Sequence, residues 1–432
     1  MKKYILPLVL ILLFSCNKKV NIDETFKVIA EDYVKLVLEI GLYDAYFVDA
    51  YYGPEEWRPK VLENKDAKIP EVELLEKVQA LNAMLESINL NDIDGNKELR
   101  HIYLTKQIKA VKGRIEMLGG KNFTFDEETF ALYDVITPDY TVEHFESLIQ
   151  ELEKALPGEG SLTDRLTEFK KDFIIPKDKL DTVFNTAIQE AKRRTLKYID
   201  MPEGENFVLE FVSDKPWGGY NWYKGNNFSL IQINTDLPIY IDRAIDLASH
   251  EGYPGHHVYN CLLESNMVKT NNWMEFSVYP LYSPQSLIAE GTANYGIEMA
   301  FPDNEKIKYE KEVLFPLAGL DPTKAEKYYE IMDLVSKISY VRNAASEAYL
   351  NGEKTKEETI EWLVKYALRN HESATQSLKF IEAYRTYIIN YNVGLDIVRN
   401  YMESTDEITK EEKWKRFEYL ISTPQVPSNL VE

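Results

Sequence analysis

Cysteine is nearly absent from this 432-residue chain, which has Cys16, Cys261 and six histidines. If Cys16 carries lipid, as argued below, Cys261 stands alone. No intrachain disulfide is then possible, a cysteine-based zinc site is excluded, and stability must come from the core. Cys261 lies in an apolar stretch and reads as a small buried hydrophobe. Basic residues are also short, with 50 Lys and Arg against 71 Asp and Glu, for a net charge of -21. Without a long basic stripe, such a chain repels phosphates, so nucleic acid is excluded as a partner. The acidity itself reads as solubility. There is no internal repeat and no low-complexity segment.

What is present begins with an export signal. Met1-Lys2-Lys3 is followed by an apolar run over 4–14, too short for an ordinary transmembrane helix. The run ends in Leu13-Phe14-Ser15-Cys16, which resembles a lipobox. Residues 1–16 are expected to be a lipoprotein signal peptide and 17–25 a tether. The only membrane contact expected is lipid on Cys16. Asn17 after the cysteine resembles sorting signals for the outer membrane, facing the periplasm.

Hydrophobic residues at 44% exclude a disordered chain, and 29 tyrosines suit helix packing and polar clefts. Helical periodicity dominates an N-terminal region over 26–205, with stretches near 26–47, 70–90, 97–118, 141–155, 161–173 and 178–199. Strand formers then cluster at 207–212 and 228–234, separated by a turn at 216–220. These predict a small antiparallel sheet within 206–234. Helices return over 238–263, 286–301 and most of the remainder. The expected fold is mainly α, with the small sheet beside the helix that carries the chemistry. Residues 206–432 form the expected catalytic region.

Three of the six histidines fall in the segment His250-Glu251-Gly252-Tyr253-Pro254-Gly255-His256-His257. Neutral imidazole is a common zinc ligand, and a glutamate beside the first ligand can take a proton from water. In the usual His-Glu-x-x-His helix the second ligand stands at i+4, but here that position is Pro254. On a straight helix His256 would lie about 120° round, and His257 would lie about 10.5 Å along the axis. Pro254 cannot bond the His250 carbonyl, and Gly252 and Gly255 permit unusual dihedrals. A widened turn after Glu251 is therefore expected, as at other functional helix bulges. It would bring in His256 as second ligand, with His257 as the alternative.

The segment resembles the signature of the DUF885 family of bacterial proteins, which is similar to zinc metallopeptidases. A second motif of that family appears as Glu290-Gly291-Thr292-Ala293-Asn294-Tyr295, and a third as Tyr391-Asn392-Val393-Gly394. Thr292 and Tyr259 depart from the residues often found there, and residues 26–200 match only in helical texture. The resemblance implies a zincin or thermostable-carboxypeptidase-like helical fold binding one Zn2+, or another divalent ion, through His250, His256 and Glu290. A ligand set of two histidines and one glutamate is chemically sensible. Glu251 is the expected general base. Candidate donors to the reacting oxygen are Tyr391 first, then Arg385, Tyr295 and His257. Arg385 could instead hold a substrate carboxylate or pair with Glu382. Asp246 is a candidate partner for a ligand histidine. The remaining histidines, His101, His144 and His371, read as structural or surface groups. The expected substrate is a peptide, added at a strand edge. The alternatives are hydrolysis of a non-peptidic amide or ester, and a lipoprotein that binds metal or peptide without turnover.

Overall fold

The structure, a computed structural model, describes residues 21–64, 67–405 and 408–431. The predicted signal peptide and Cys16 lie outside the described residues. The first helix, Ile22–Ile40, starts where Asn21 accepts a hydrogen bond from the Glu24 amide. Four residues of the expected tether therefore belong to this helix. Its buried face is the apolar stripe of Phe26, Ile29, Ala30, Tyr33, Val34 and Val37. Helices follow at Glu71–Glu86, Gly95–Leu118, Val142–Ala155, Leu162–Lys170 and Leu180–Thr195. One helix has no counterpart in the periodicity, Phe125–Tyr133. It is only nine residues long, and its local signal is the capping box of Thr124 and Glu127.

Five strands accompany the helices: β1 (Val48–Tyr51), β2 (Asn206–Val212), β3 (Gly219–Tyr223), β4 (Phe228–Asn234) and β5 (Val278–Pro280). β2, β4 and β3 form one sheet in that spatial order. Here the structure refines the sequence reading. β2 and β4 are parallel neighbours, because the residues between them return as β3, which pairs antiparallel with β4. Part of the predicted turn at 216–220 is thus the start of a strand. β1 pairs antiparallel with β5, directly before the helix Pro284–Ala300 that carries Glu290. The N-terminal region therefore reaches the metal-binding half through a strand pair.

A single hydrophobic cluster runs from Phe26 to Leu430, so both regions fold around a shared core. Within it, Arg100 and Glu275 form a buried bidentate ion pair at 2.5 and 2.8 Å. No helix among the described residues is long and apolar enough to cross a membrane.

Glycines explain two of the motif positions. The helices Pro284–Ala300 and Val393–Glu403 meet backbone to backbone at Gly291 and Gly394. A Cβ on Gly291 would lie 2.3 Å from the Gly394 carbonyl oxygen, and one on Gly394 would lie 2.7 Å from that of Leu287. Neither helix can yield locally, since both contacts are main chain. Gly291→Ala is expected to lower stability by about 1–3 kcal/mol, as overpacking does. Denaturant unfolding of the variant against the parent measures this.

Candidate metal centre

The helix bearing the histidines is not regular. It runs as an α-helix over Asp242–Leu247, widens to a π turn over Ala248–Gly252, breaks, and resumes at His256–Leu263. The Tyr253 amide bonds the Ala248 carbonyl at 3.1 Å, and the Gly255 amide bonds that of Ser249 at 2.9 Å. These are the five- and six-residue reaches of an opened turn. The Tyr253–Pro254 bond is cis. Gly255 is needed for space: a Cβ there would lie 1.9 Å from the His250 carbonyl oxygen and 2.4 Å from that of Ser249.

The opened turn brings His256 back to His250. Their Nε2 atoms lie 3.2 Å apart. The Glu290 carboxylate completes the cluster, 3.2 Å from His250 Nε2 and 3.6 Å from His256 Nε2. Zinc bonded to nitrogen at about 2.0–2.1 Å places neighbouring ligand atoms roughly 3.3 Å apart. The three separations fit that geometry, and the cluster can hold a divalent metal ion.

Protonation supports the same conclusion. The Asn294 amide nitrogen donates to the Tyr391 carbonyl at 2.8 Å, so the Asn294 side-chain oxygen faces His250 Nδ1, 2.9 Å away. That oxygen can only accept, hence Nδ1 of His250 carries a proton, and in the neutral ring Nε2 is the nitrogen that can offer a lone pair to a metal ion. Glu290 Oε1 accepts from the Tyr387 hydroxyl at 2.7 Å, while its buried Oε2 has no hydrogen-bond partner. Burial works to raise the Glu290 pKa, but the His256 and His250 rings outweigh it and hold the carboxyl well below its usual range.

Glu251 follows the first ligand and is 3% exposed. Burial, aided by the Glu290 charge, pushes its carboxyl up to about 7. Its Oε2 is buried without a hydrogen-bond partner. Space for this carboxylate comes from β3, where a Cβ on Gly219 would lie 2.9 Å from Glu251 Oε1. The adjacent Asn221 amide holds the Glu251 carbonyl at 2.7 Å.

The other predicted residues divide. Tyr391 lies at the site, its ring stacked on His250 with centroids 6.4 Å apart. His257 turns away from it. Its Nδ1 meets Ser229 Oγ at 2.8 Å and its Nε2 meets Glu205 at 3.0 Å, so it braces the start of the second half-helix against β4. Arg385 is not free for substrate. Buried Glu128 accepts from it, Oε2 from Nη2 at 2.6 Å and Oε1 from Nε at 3.2 Å, and Glu382 instead takes Lys356 and Tyr349. Tyr295 is fully buried and points to Glu403 at 3.5 Å. Asp246 faces Lys306 and Arg243, and Asn294 fills the supporting role considered for it. Burial raises the Cys261 thiol to about 12, which makes it a poor nucleophile. His101 bonds the Leu85 carbonyl, and His144 stacks on Tyr140.

Three neighbours of the site escaped the sequence reading. Asn294 and Tyr387 directly contact the ligands. Asp49 on β1 accepts from the Tyr220 hydroxyl and feels the charges of His256 and Glu290. Burial pushes Asp49 up to about 6. Asn294 had a readable signal, since it stands four residues after Glu290 and so shares its helix face. The other two come from segments without a local metal-site pattern.

No family model matches the chain, and no curated protein matches it in sequence. Among solved structures the chain is similar to a presumed lipoprotein from Colwellia psychrerythraea, with 15% identity and a TM-score of 0.51. The match covers 82% of this chain and 65% of that one. At this identity the likeness concerns the fold alone. A second structure, BsuCP, aligns over 93% of this chain and 88% of its own, at 11% identity and a TM-score of 0.45, and no argument rests on it. The fold is mainly helical, with its small sheets beside the helices of the metal cluster.

The Asn294 bond generates a test. Asn294→Ala should weaken zinc binding about 10- to 100-fold, as loss of a ligand-orienting group does. Competition against a chromophoric chelator reads this, and an unchanged far-UV spectrum shows that the fold is kept.

Proposed function

We propose that the chain is a zinc-dependent peptidase. The observation that carries this is Glu251: a buried carboxylate with a free oxygen, adjacent to a converged His-His-Glu cluster. A site that only binds metal has no use for such a proton acceptor. The wider resemblance to the DUF885 family supports the reading, because all three of its motifs contribute residues to one place. His250, His256 and Glu290 would hold the ion. When bound, zinc supplies Lewis-acid polarisation and makes water more acidic.

The chain's own groups do the rest. Glu251 takes a proton on Oε2 and returns it to the departing nitrogen, and a carboxyl poised near 7 suits both steps. Burial and the Glu290 and Glu251 charges raise the Tyr391 pKa far above its usual value, so its hydroxyl stays protonated as a donor for the developing oxyanion. Asn294 keeps the proton of His250 on Nδ1. β3 lies at the edge of its sheet against Glu251, where an extended peptide can add by strand pairing. We place the enzyme on a lipid anchor at Cys16, at the periplasmic side of the outer membrane. This rests on the lipobox and Asn17 alone.

Glu251→Gln should lower kcat by at least about 1,000-fold, given the weight of general-base catalysis, while zinc content by elemental analysis stays at one ion per chain. Normal peptide hydrolysis by this variant sinks the mechanism. A substrate panel in which amides or esters are cleaved and peptides are not would instead revise the substrate class.

A further inference from the structure

Eight non-glycine residues among those described have positive φ. Six are Asp or Asn, which tolerate that region. Leu368 and Arg385 are the other two. Arg385 follows the helix His371–Tyr384 with φ 52° and ψ -125°, outside the left-handed helical well, where ψ is positive. Such backbone costs free energy and persists only where its surroundings over-determine it. It also lies at a junction that matters, because the 3-10 helix Arg385–Tyr391 carries both tyrosines of the metal centre.

One buried carboxylate holds it. Glu128 Oε1 accepts from the Thr386 hydroxyl at 2.7 Å, and the Thr386 amide nitrogen lies 3.5 Å from it. Oε2 accepts from Arg385 Nη2 at 2.6 Å, and Nε reaches both oxygens, at 2.9 and 3.2 Å. The carboxylate thus grips two consecutive residues through their side chains and through the peptide between them. Tyr387 comes next, and its hydroxyl donates to Glu290 Oε1 at 2.7 Å. That bond leaves Glu290 Oε2 free, 3.2 Å from His250 Nε2. The nine-residue helix of Glu128 also supplies Tyr133, whose ring meets Tyr387 edge-on with centroids 6.3 Å apart. Two side chains of one short helix therefore converge on the tyrosine that orients a ligand.

We propose that Glu128 is a positioning residue for the metal centre, fixing the Arg385 backbone so that Tyr387 can orient Glu290. An ion pair alone does not require Thr386, and a turn alone is built most easily with glycine at this φ. Arginine at position 385 makes the turn depend on Glu128, and so makes the aim of Tyr387 depend on it. The inference rests on the zinc reading of the cluster and not on turnover.

Zinc affinity, read by competition against a chromophoric chelator, tests this, and the absorption bands of the cobalt-loaded protein report the ligand geometry. Glu128→Gln keeps the size of the side chain but cannot accept on both arms. It is expected to weaken zinc binding about 10-fold and to shift the cobalt bands as Tyr387→Phe does. Because both changes act on one bond, the double variant Glu128→Gln/Tyr387→Phe should bind no more weakly than Tyr387→Phe alone. Glycine adopts the Arg385 dihedrals without help, so Glu128→Gln/Arg385→Gly should recover affinity. Glu128→Gln/Arg385→Ala removes the same charge but keeps the strain, and should not. If Glu128→Gln fails to fold, Thr386→Val gives the reading, since it spares the ion pair and loses only the hydroxyl bond. Zinc binding about 2- to 5-fold weaker is then expected. Parental affinity in Glu128→Gln, or in Thr386→Val where the former does not fold, overturns the proposal. So do additive losses in the double variant, or no difference between glycine and alanine at position 385. A parent chain that binds no zinc defeats the zinc reading, and the positioning role falls with it.

Discussion

One side-chain amide decides what the metal centre can be. Asn294 gives its N–H to the Tyr391 carbonyl and its oxygen to His250 Nδ1. Neither bond can be reversed, because a carbonyl oxygen has no proton to give. The tautomer of neutral His250 is therefore set from outside the ring, and in that form Nε2 faces the cluster as an acceptor. The same amide joins three distant segments: the histidine helix, the Glu290 helix and the Tyr391 segment. A slip of one residue in the Glu290 helix would rotate both Glu290 and Asn294 off this face. The backbone contact of Gly291 with Gly394 resists that slip, so the motif glycines and the motif ligands serve a single geometry.

The second constraint is the opened turn. A regular helix places positions i and i+6 about 120° apart, too far round for two rings to share an ion. The π turn and the three-residue break of Tyr253, Pro254 and Gly255 remove that angle. The opening needs support from both sides. Asn221 on β3 holds the Glu251 carbonyl, and His257, clamped between Ser229 and Glu205, fixes the start of the second half-helix. The sheet thus holds the break in shape and leaves room at Gly219 for the Glu251 carboxylate.

This division explains what could be read from the sequence. Helices with a clear apolar stripe, such as Ile22–Ile40, were legible because burial imposes a local period. The widened turn was legible because Pro254 and Gly255 act on their own backbone. The choice between His256 and His257 was not, since it depends on Ser229 and Glu205, which approach only after folding. Arg385 misled for the same reason. Its true partner, Glu128, sits on a nine-residue helix too short to show a period. The parallel pairing of β2 and β4 was hidden because short apolar strands look alike in either direction. Asp49 lies in β1, far from any motif, and enters the site only through the pairing of β1 with β5.

Asp49 also bears on why the site suits a cation. Asp49, Glu251 and Glu290 come from three segments, and Glu290 acts to raise the pKa of both Asp49 and Glu251. Gathering buried carboxylates is unfavourable unless positive charge compensates them. The histidines answer this only in part. As cations the two rings offset Glu290, whereas the neutral His250 that Asn294 orients turns only a lone pair toward it at Nε2. A divalent cation between the rings and Glu290 satisfies both requirements, because it accepts the lone pairs that the tautomer exposes and offsets the carboxylates around them. The electrostatic need and the ligand geometry arise from different residues, and they converge on one kind of occupant.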